Sequence, residues 1–123
     1  MIKQTAKILI VDDMKMIRTS LKRFLKTLGY ENTVEAENGN DAIQKHLSEK
    51  PAIIFMDVVM PELNGNEALR KMRDTDKTTP IVMLSSVSDK KTIGECESLG
   101  IEGYIIKPLT AKTGPETLKP FLS

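Results

Sequence analysis

Five short runs with strand character, separated by segments of helical periodicity, constrain this chain more than any other feature of its sequence. The runs cover residues 7–11, 33–36, 52–56, 81–84 and 104–106. They are mainly continuous apolar runs and do not alternate, which is typical of parallel strands buried on both faces. Alternation of such strands with helices predicts an α/β fold, a doubly wound five-stranded parallel sheet with helices on both faces.

The segments between the strands have the spacing of amphipathic helices. In the first segment, apolar residues recur at three- and four-residue intervals between lysines and arginines, and Gly29 supplies a stop. Further helices are predicted over residues 41–49, 64–72 and 88–99. In the earliest of these, Ala42, Ile43 and Leu47 are expected to face inward. Glycine and proline interrupt residues 109–123, which predicts a short or kinked last helix.

The size of the chain favours one core. A chain of 123 residues can bury about two-thirds of the surface that its unfolded form exposes, so it can fold stably without a disulfide bond or a structural metal ion. The sequence contains no linker, repeat or low-complexity tract, so residues 1–123 are expected to form a single domain. Cys96 has no cysteine to pair with and is expected to be a packing residue of a helix.

Charge and composition argue against several classes of function. Lys plus Arg total 18 against 17 for Asp plus Glu, so the chain lacks the cationic excess that binding to phosphate backbones requires. The absence of Trp, with 2 Tyr and 3 Phe, leaves little surface for stacking bases. The N-terminus is too polar for a signal peptide, and no apolar run approaches the roughly 18 residues of a membrane span. We therefore expect a cytoplasmic protein that binds neither nucleic acid nor membranes.

Polar residues gather where the predicted strands end. They are Asp12 and Asp13 after the first strand, Asp57 after the third, Ser85 after the fourth and Lys107 after the fifth. In open parallel sheets, ligands bind beyond the carboxyl ends of the strands, at the point where the strand order reverses. The sequence therefore predicts one site at this edge, built from three carboxylates, a hydroxyl and an ammonium group.

The residue types at this edge indicate phosphoryl chemistry with a metal ion. Three neighbouring carboxylates repel one another, and Mg²⁺ would relieve the repulsion while keeping water and phosphate oxygens as further ligands. We expect Asp13 and Asp57 to bind Mg²⁺ directly and Asp12 to bind it through water. A carboxylate beside Mg²⁺ can attack phosphorus, which makes Asp57 the candidate nucleophile. Lys107 and Ser85 are expected to stabilise the phosphoryl oxygens.

One set of motifs spans almost the whole chain. It consists of Asp12-Asp13, residues 57–61 with Gly65 after them, Ser85-Ser86 and Lys107-Pro108. At these spacings the set resembles a response-regulator receiver domain, which has a flavodoxin-like fold. The resemblance implies that Asp57 accepts a phosphoryl group from a histidine kinase with Mg²⁺ and loses it by hydrolysis. The chain would then be a signalling domain that catalyses only its own phosphorylation and dephosphorylation.

The resemblance also implies roles for further residues. The backbone carbonyl of Val59 would be a ligand of Mg²⁺. Ser85 would turn toward the phosphoryl group while Tyr104 swings inward, so that the face formed by the fourth helix, fifth strand and fifth helix changes its partners. A cis peptide bond would join Lys107 and Pro108.

Three stretches, residues 25–30, 34–39 and 107–111, resemble the stand-alone chemotaxis receivers (CheY-like) in particular. This implies a single-domain response regulator with no output domain that binds a flagellar switch. The alternative is a phosphorelay intermediate that passes the phosphoryl group to a histidine phosphotransfer protein. Because its last helix is interrupted, the chain is expected to be a monomer that does not dimerise through that helix.

Two apolar residues depart from the usual pattern of receivers. Val59 and Val87 stand two residues after Asp57 and Ser85, where receivers often carry polar groups that could position an attacking water. Neither valine can do so. We therefore expect slow loss of the phosphoryl group unless a phosphatase supplies the missing polar group.

Several single residues also allow simpler interpretations. Asp12-Asp13 could cap the first helix, Ser85 could bond only to backbone, and Tyr104 could be a core aromatic. His46, the only histidine, is expected to be solvated on the polar face of its helix.

Three other classes of protein compete with a phosphorylated receiver. A haloacid-dehalogenase-type phosphohydrolase has a second Asp two residues after the nucleophile, where this chain has Val59. A flavodoxin-like cofactor binder would carry a phosphate-binding loop in place of Asp12-Asp13. The complete acidic set argues against a receiver that is never phosphorylated.

Overall fold

The computed structural model describes residues 2–86 and 88–123 of the chain. Within these residues the strands are β1 (Ile8–Val11), β2 (Thr33–Ala36), β3 (Ile53–Asp57), β4 (Ile81–Ser85) and β5 (Gly103–Ile106). The helices are α1 (Lys15–Thr27), α2 (Gly39–Glu49), α3 (Gly65–Thr75), α4 (Lys90–Leu99) and α5 (Gly114–Leu118), followed by a 3-10 turn at Lys119–Phe121. Within the described ranges, no helix is long and apolar enough to cross a membrane.

The strands form one parallel sheet in the order β2-β1-β3-β4-β5. The predicted doubly wound α/β fold is confirmed. Because β1 pairs with β2 on one side and with β3 on the other, the chain reverses its direction of winding beside β1. This places a crevice at the carboxyl ends of β1 and β3, where open α/β sheets bind their ligands.

Apolar side chains cover both faces of the sheet because successive residues of a strand point to opposite sides. On one face, Leu9, Ile54 and Met83 pack in a core with residues of α2, α3 and α4. On the other, Ile10, Phe55 and Val82 pack in a core with residues of α1 and α5. The continuous apolar runs of the sequence are thus explained by burial on both sides.

The inward face of α2 differs from the prediction. Leu47 is 59% exposed, whereas His46 is 6% exposed and its Nε2 lies 2.9 Å from Asp76 Oδ2. His46 follows Ala42 by four residues, so the two share the face that meets α3. The expectation of a solvated His46 was therefore wrong, because a carboxylate from the end of α3 satisfies the buried imidazole. Hydrogen bonds from Thr79 and His46 hold the pKa of Asp76 well below its usual range.

The fourth and fifth helices follow their sequence signals. The Asp89 carboxylate caps α4 by accepting a hydrogen bond from the Thr92 N–H at 2.8 Å. Cys96 is fully buried in this helix, and burial raises the pKa of its thiol to about 11. The last helix is short, as Gly114-Pro115 and Pro120 predict.

Gly65 and Gly94 provide a matched pair of substitutions for testing the packing. A Cβ on Gly65 would lie 2.0 Å from the Asp57 carbonyl oxygen, whereas a Cβ on Gly94 would meet nothing within 4 Å. We expect Gly65→Ala to lower the free energy of unfolding by more than about 2 kcal/mol, because the backbone itself must move. Gly94→Ala should raise it by about 0.5 to 1 kcal/mol, since alanine favours the helix. Urea denaturation checks both, and equal stability of the two variants would contradict the close approach of α3 to β3.

Candidate functional site

The carboxyl edge of the sheet brings the predicted site residues together. Asp57 and Ser85 are the last residues of β3 and β4, Asp12 follows β1, and Lys107 follows β5. One carboxylate oxygen each from Asp12, Asp13 and Asp57 lies within 4.8 Å of the others. Residues at the ends of separate strands thus form an acidic cluster at the crevice beside β1, with the ammonium group of Lys107 next to it.

Lys107 lies between two of the carboxylates. Its Nζ is 2.6 Å from Asp12 Oδ2 and 3.4 Å from Asp57 Oδ1. Its backbone N–H donates to the Ser85 carbonyl at 2.9 Å, which continues the pairing of β5 with β4. The Lys107–Pro108 peptide bond is cis. The ammonium group is therefore positioned to neutralise part of the carboxylate charge.

Asp12 is held by its backbone and by both carboxylate oxygens. It is 1% exposed, its N–H donates to the Ala36 carbonyl at 3.1 Å, and its Oδ1 accepts from the Met14 N–H at 2.9 Å. Asp13, in contrast, is exposed. The turn after β1 thus carries one fixed carboxylate and one that is open to solvent.

Asp57 sits in a nearly buried position, with 7% of its surface exposed. Burial raises the pKa of its carboxyl from 3.8 to about 6; Lys107 opposes this effect and Asp12 adds to it. The ionised form therefore needs more positive charge than Lys107 alone supplies. Carboxylates of this kind are the hard oxygen donors that Mg²⁺ prefers, so the residues present fit that ion.

Two local hydrogen bonds hold the loop between β3 and α3. The Gly65 N–H donates to the Val58 carbonyl at 2.7 Å, and the Met60 N–H donates to Asn64 Oδ1 at 3.2 Å. Val59 lies between these contacts, with 55% of its surface exposed. The position two residues after Asp57 therefore presents an apolar side chain to solvent.

The proposed switch residues are in contact with each other. Ser85 is fully buried, and Tyr104, on the neighbouring strand, is half-buried. Burial raises the pKa of Tyr104, while a side-chain hydrogen bond with Ser85 acts in the opposite direction. The expectation about Val87 lies outside the described residues.

Sequence reasoning missed Arg18 and Glu35. Arg18 Nη1 donates to the Asp12 carbonyl at 2.7 Å, and its Nε donates to Glu35 Oε1 at 2.9 Å. The available signal was the position of Arg18 in the first turns of α1, close to the end of β1. This position alone does not single out Arg18, because α1 contains several other lysines and arginines and most of them are exposed.

Comparison with known proteins defines the class to which this fold and site belong. Residues 8–119 match the response regulator receiver domain family. The chain belongs to this family.

Individual relatives narrow the comparison to the CheY type. The chain is 34% identical to the chemotaxis protein CheY of Listeria monocytogenes over 113 residues, which cover 92% of this chain and 95% of the relative. Among solved structures, the chemotaxis response regulator CheY4 of Vibrio cholerae matches with a TM-score of 0.85 and 32% identity, covering 96% of this chain and 99% of the other. The CheX-CheY-BeF3-Mg²⁺ complex from Borrelia burgdorferi matches with a TM-score of 0.84 and 25% identity, covering 96% and 90% of the respective chains. The chain is thus a receiver domain of the CheY type.

Asp57→Asn is expected to stabilise the protein at pH 7 in the absence of divalent cations. The folded-state pKa of Asp57 lies above its ordinary value, so the contribution of this carboxyl to wild-type stability falls as pH rises from about 4 to about 6. Asparagine removes the buried charge. Because nearby solvent and the Lys107 ammonium group reduce the cost of the charge, the gain in unfolding free energy is about 1 to 2 kcal/mol at pH 7.

Urea denaturation between pH 4 and pH 7.5 checks this expectation, and the gain should shrink toward the acid end. Asp74→Asn, at an exposed position of α3, is the matched control. An Asp57→Asn protein no more stable than wild type at pH 7 would refute the description of a charge destabilised by burial.

Proposed function

We propose that this protein is a single-domain response regulator that accepts a phosphoryl group on Asp57 and signals by phosphorylation-dependent binding to another protein in chemotaxis. The observation that carries the proposal is the nearly buried Asp57 carboxylate, with two further carboxylates and the Lys107 ammonium beside it. The donor is the phosphohistidine of a histidine kinase. The kinship with CheY proteins supports the chemotactic role and a cytoplasmic location.

In the proposed transfer, an oxygen of Asp57 forms a bond to phosphorus while the phosphorus–nitrogen bond of the phosphohistidine breaks. The bonding pair stays on the imidazole nitrogen. Asp57 must be ionised to act, which its surroundings favour only when positive charge is near. Lys107, whose Nζ lies 3.4 Å from Asp57 Oδ1, would supply one such charge and donate to a phosphoryl oxygen, and Ser85 would supply a hydroxyl donor on the neighbouring strand.

Mg²⁺ would be held by the carboxylates of Asp13 and Asp57 and the Val59 carbonyl, with Asp12 acting through water. When bound, it neutralises charge that the phosphoryl oxygens carry. The contribution of the chain is to hold these donors on separate loops at the carboxyl edge. The Asp12 carboxylate is fixed by Met14 and Lys107 and does not need to reach the cation directly.

The proposed switch uses the contact between Ser85 and Tyr104. A phosphoryl group on Asp57 offers the Ser85 hydroxyl a more highly charged acceptor than the tyrosine oxygen. Turning Ser85 toward that acceptor would release Tyr104, and the surface of α4, β5 and α5 would change. A target such as a flagellar switch would read this surface, and phosphotransfer onward to a histidine phosphotransfer protein is the alternative.

Intact-mass measurement tests the proposal. Wild-type protein incubated with Mg²⁺ and acetyl phosphate or phosphoramidate should gain one phosphoryl group, and chelation of Mg²⁺ should prevent the gain. Asp57→Asn should gain none, whereas the control Asp74→Asn should behave as wild type. An adduct on Asp57→Asn, or none on wild type with any donor, would contradict the proposal. Rapid hydrolysis of diverse phosphate esters would instead support a phosphohydrolase of the haloacid-dehalogenase type.

Slow dephosphorylation is the second expectation. Val59 presents an exposed apolar side chain at the loop that follows Asp57, where it cannot orient a water molecule. Val59→Asn should therefore speed the decay of phospho-Asp57 by about tenfold after removal of the donor. Val59→Leu, which adds bulk without a polar group, should not. If phospho-Asp57 of wild type already decays as fast as that of Val59→Asn, Val59 does not slow hydrolysis of the phosphoryl group. The argument from Val59 for a phosphatase partner would then be wrong.

A further inference from the structure

Arg18 contacts the acidic cluster from outside it. Its Nη1 donates to the Asp12 carbonyl at 2.7 Å, and its Nε donates to Glu35 Oε1 at 2.9 Å. The Arg18 side chain is only 12% exposed, whereas that of Glu35 is 34% exposed, so the guanidinium group itself is largely buried and both hydrogen bonds are partly buried. One guanidinium group therefore links α1, β2 and the turn that follows β1.

The orientation of the Asp12 carbonyl determines the backbone conformation at Asp13. Regular pairing of β1 ends at Val11, so the carbonyl of Asp12 lies beyond the strand ladder. This carbonyl and the N–H of Asp13 belong to the same planar peptide group. Holding the Asp12 oxygen consequently orients the backbone from which the Asp13 carboxylate projects.

Glu35 in turn holds the guanidinium group. Its other carboxylate oxygen accepts from Lys22 Nζ at 3.3 Å, and its backbone carbonyl accepts from Lys45 Nζ. Burial alone would raise the pKa of Glu35, but the hydrogen bonds from Arg18 and Lys22 bring it below its usual value. The ionised Glu35 offsets the charge of Arg18, so the guanidinium acts on the site mainly through geometry.

We propose that Arg18 is a positioning residue for the cation site, setting the Asp12-Asp13 turn through the Asp12 carbonyl while Glu35 holds the guanidinium in place. The inference rests on the proposed function, because it takes the cation to be Mg²⁺. Whether loss of the Arg18 guanidinium group weakens or strengthens Mg²⁺ binding shows whether Arg18 acts through positioning or through its charge. Removing a nearby positive charge strengthens binding of a cation by Coulomb's law, whereas loss of the support behind a ligand weakens it.

Calorimetric titration with Mg²⁺ tests the inference. Arg18→Met keeps an unbranched stem and removes both donors, and we expect it to raise the Kd for Mg²⁺ by about tenfold. Arg18→Lys should not restore binding, because a single ammonium group lacks the fork that serves both acceptors. Arg23→Met, at an exposed position of the same helix, is the control and should bind as wild type. Unchanged or tighter binding by folded Arg18→Met would overturn the inference.

Amide hydrogen exchange without Mg²⁺ gives a second readout. The Met14 N–H donates to Asp12 Oδ1, so it reports whether the turn is held. Its exchange should accelerate severalfold in Arg18→Met and not in Arg23→Met. Wild-type protein that takes up no Mg²⁺ would overturn the proposed function and this inference with it. Normal uptake by wild type, with either unchanged Mg²⁺ affinity or unchanged exchange of the Met14 N–H in Arg18→Met, would overturn this inference alone.

Discussion

The ammonium group of Lys107 lies between the carboxylates of Asp12 and Asp57, 2.6 Å from one and 3.4 Å from the other. Two nearly buried carboxylates would otherwise face each other at the end of adjacent strands, and a third, Asp13, lies within reach of both. The parallel sheet makes this arrangement possible, since it brings residues far apart in sequence to one edge. Burial still outweighs the lysine at Asp57, whose pKa rises to about 6. The edge is therefore short of positive charge, which a divalent cation would supply.

The backbone around the cluster is held from several directions, and this determines where each carboxylate can be. Gly65 lets α3 start against the carbonyl of Asp57, where any side chain would collide. The Asp12 N–H bonds to β2, and its carbonyl bonds to Arg18. The acidic side chains thus project from a backbone that hydrogen bonds and close packing hold in place, which favours binding of a cation.

Most of the fold and of the cluster could be predicted from the sequence, because both depend on local patterns. Apolar runs ending in Asp12, Asp57 or Ser85 indicate buried strands and the edge at which they end. Contacts between side chains distant in sequence could not be predicted in this way. His46 has the sequence pattern of a surface residue, because nothing nearby in the sequence announces its partner, Asp76. Arg18 could not be distinguished from the exposed lysines and arginines of α1 for the same reason, because its partner Glu35 lies on β2, distant in the sequence.

In the proposed function, Asp57 is a buried carboxylate, short of positive charge, that accepts the phosphoryl group at a cation site. Carbon-13 NMR of the Asp57 carboxyl over a pH titration, with and without Mg²⁺, measures this directly. We predict that the pKa of Asp57 is about 6 without divalent cations and falls markedly when Mg²⁺ is added. A pKa near the ordinary 3.8 that does not respond to Mg²⁺ would show that the edge neither destabilises the charge nor binds the cation there.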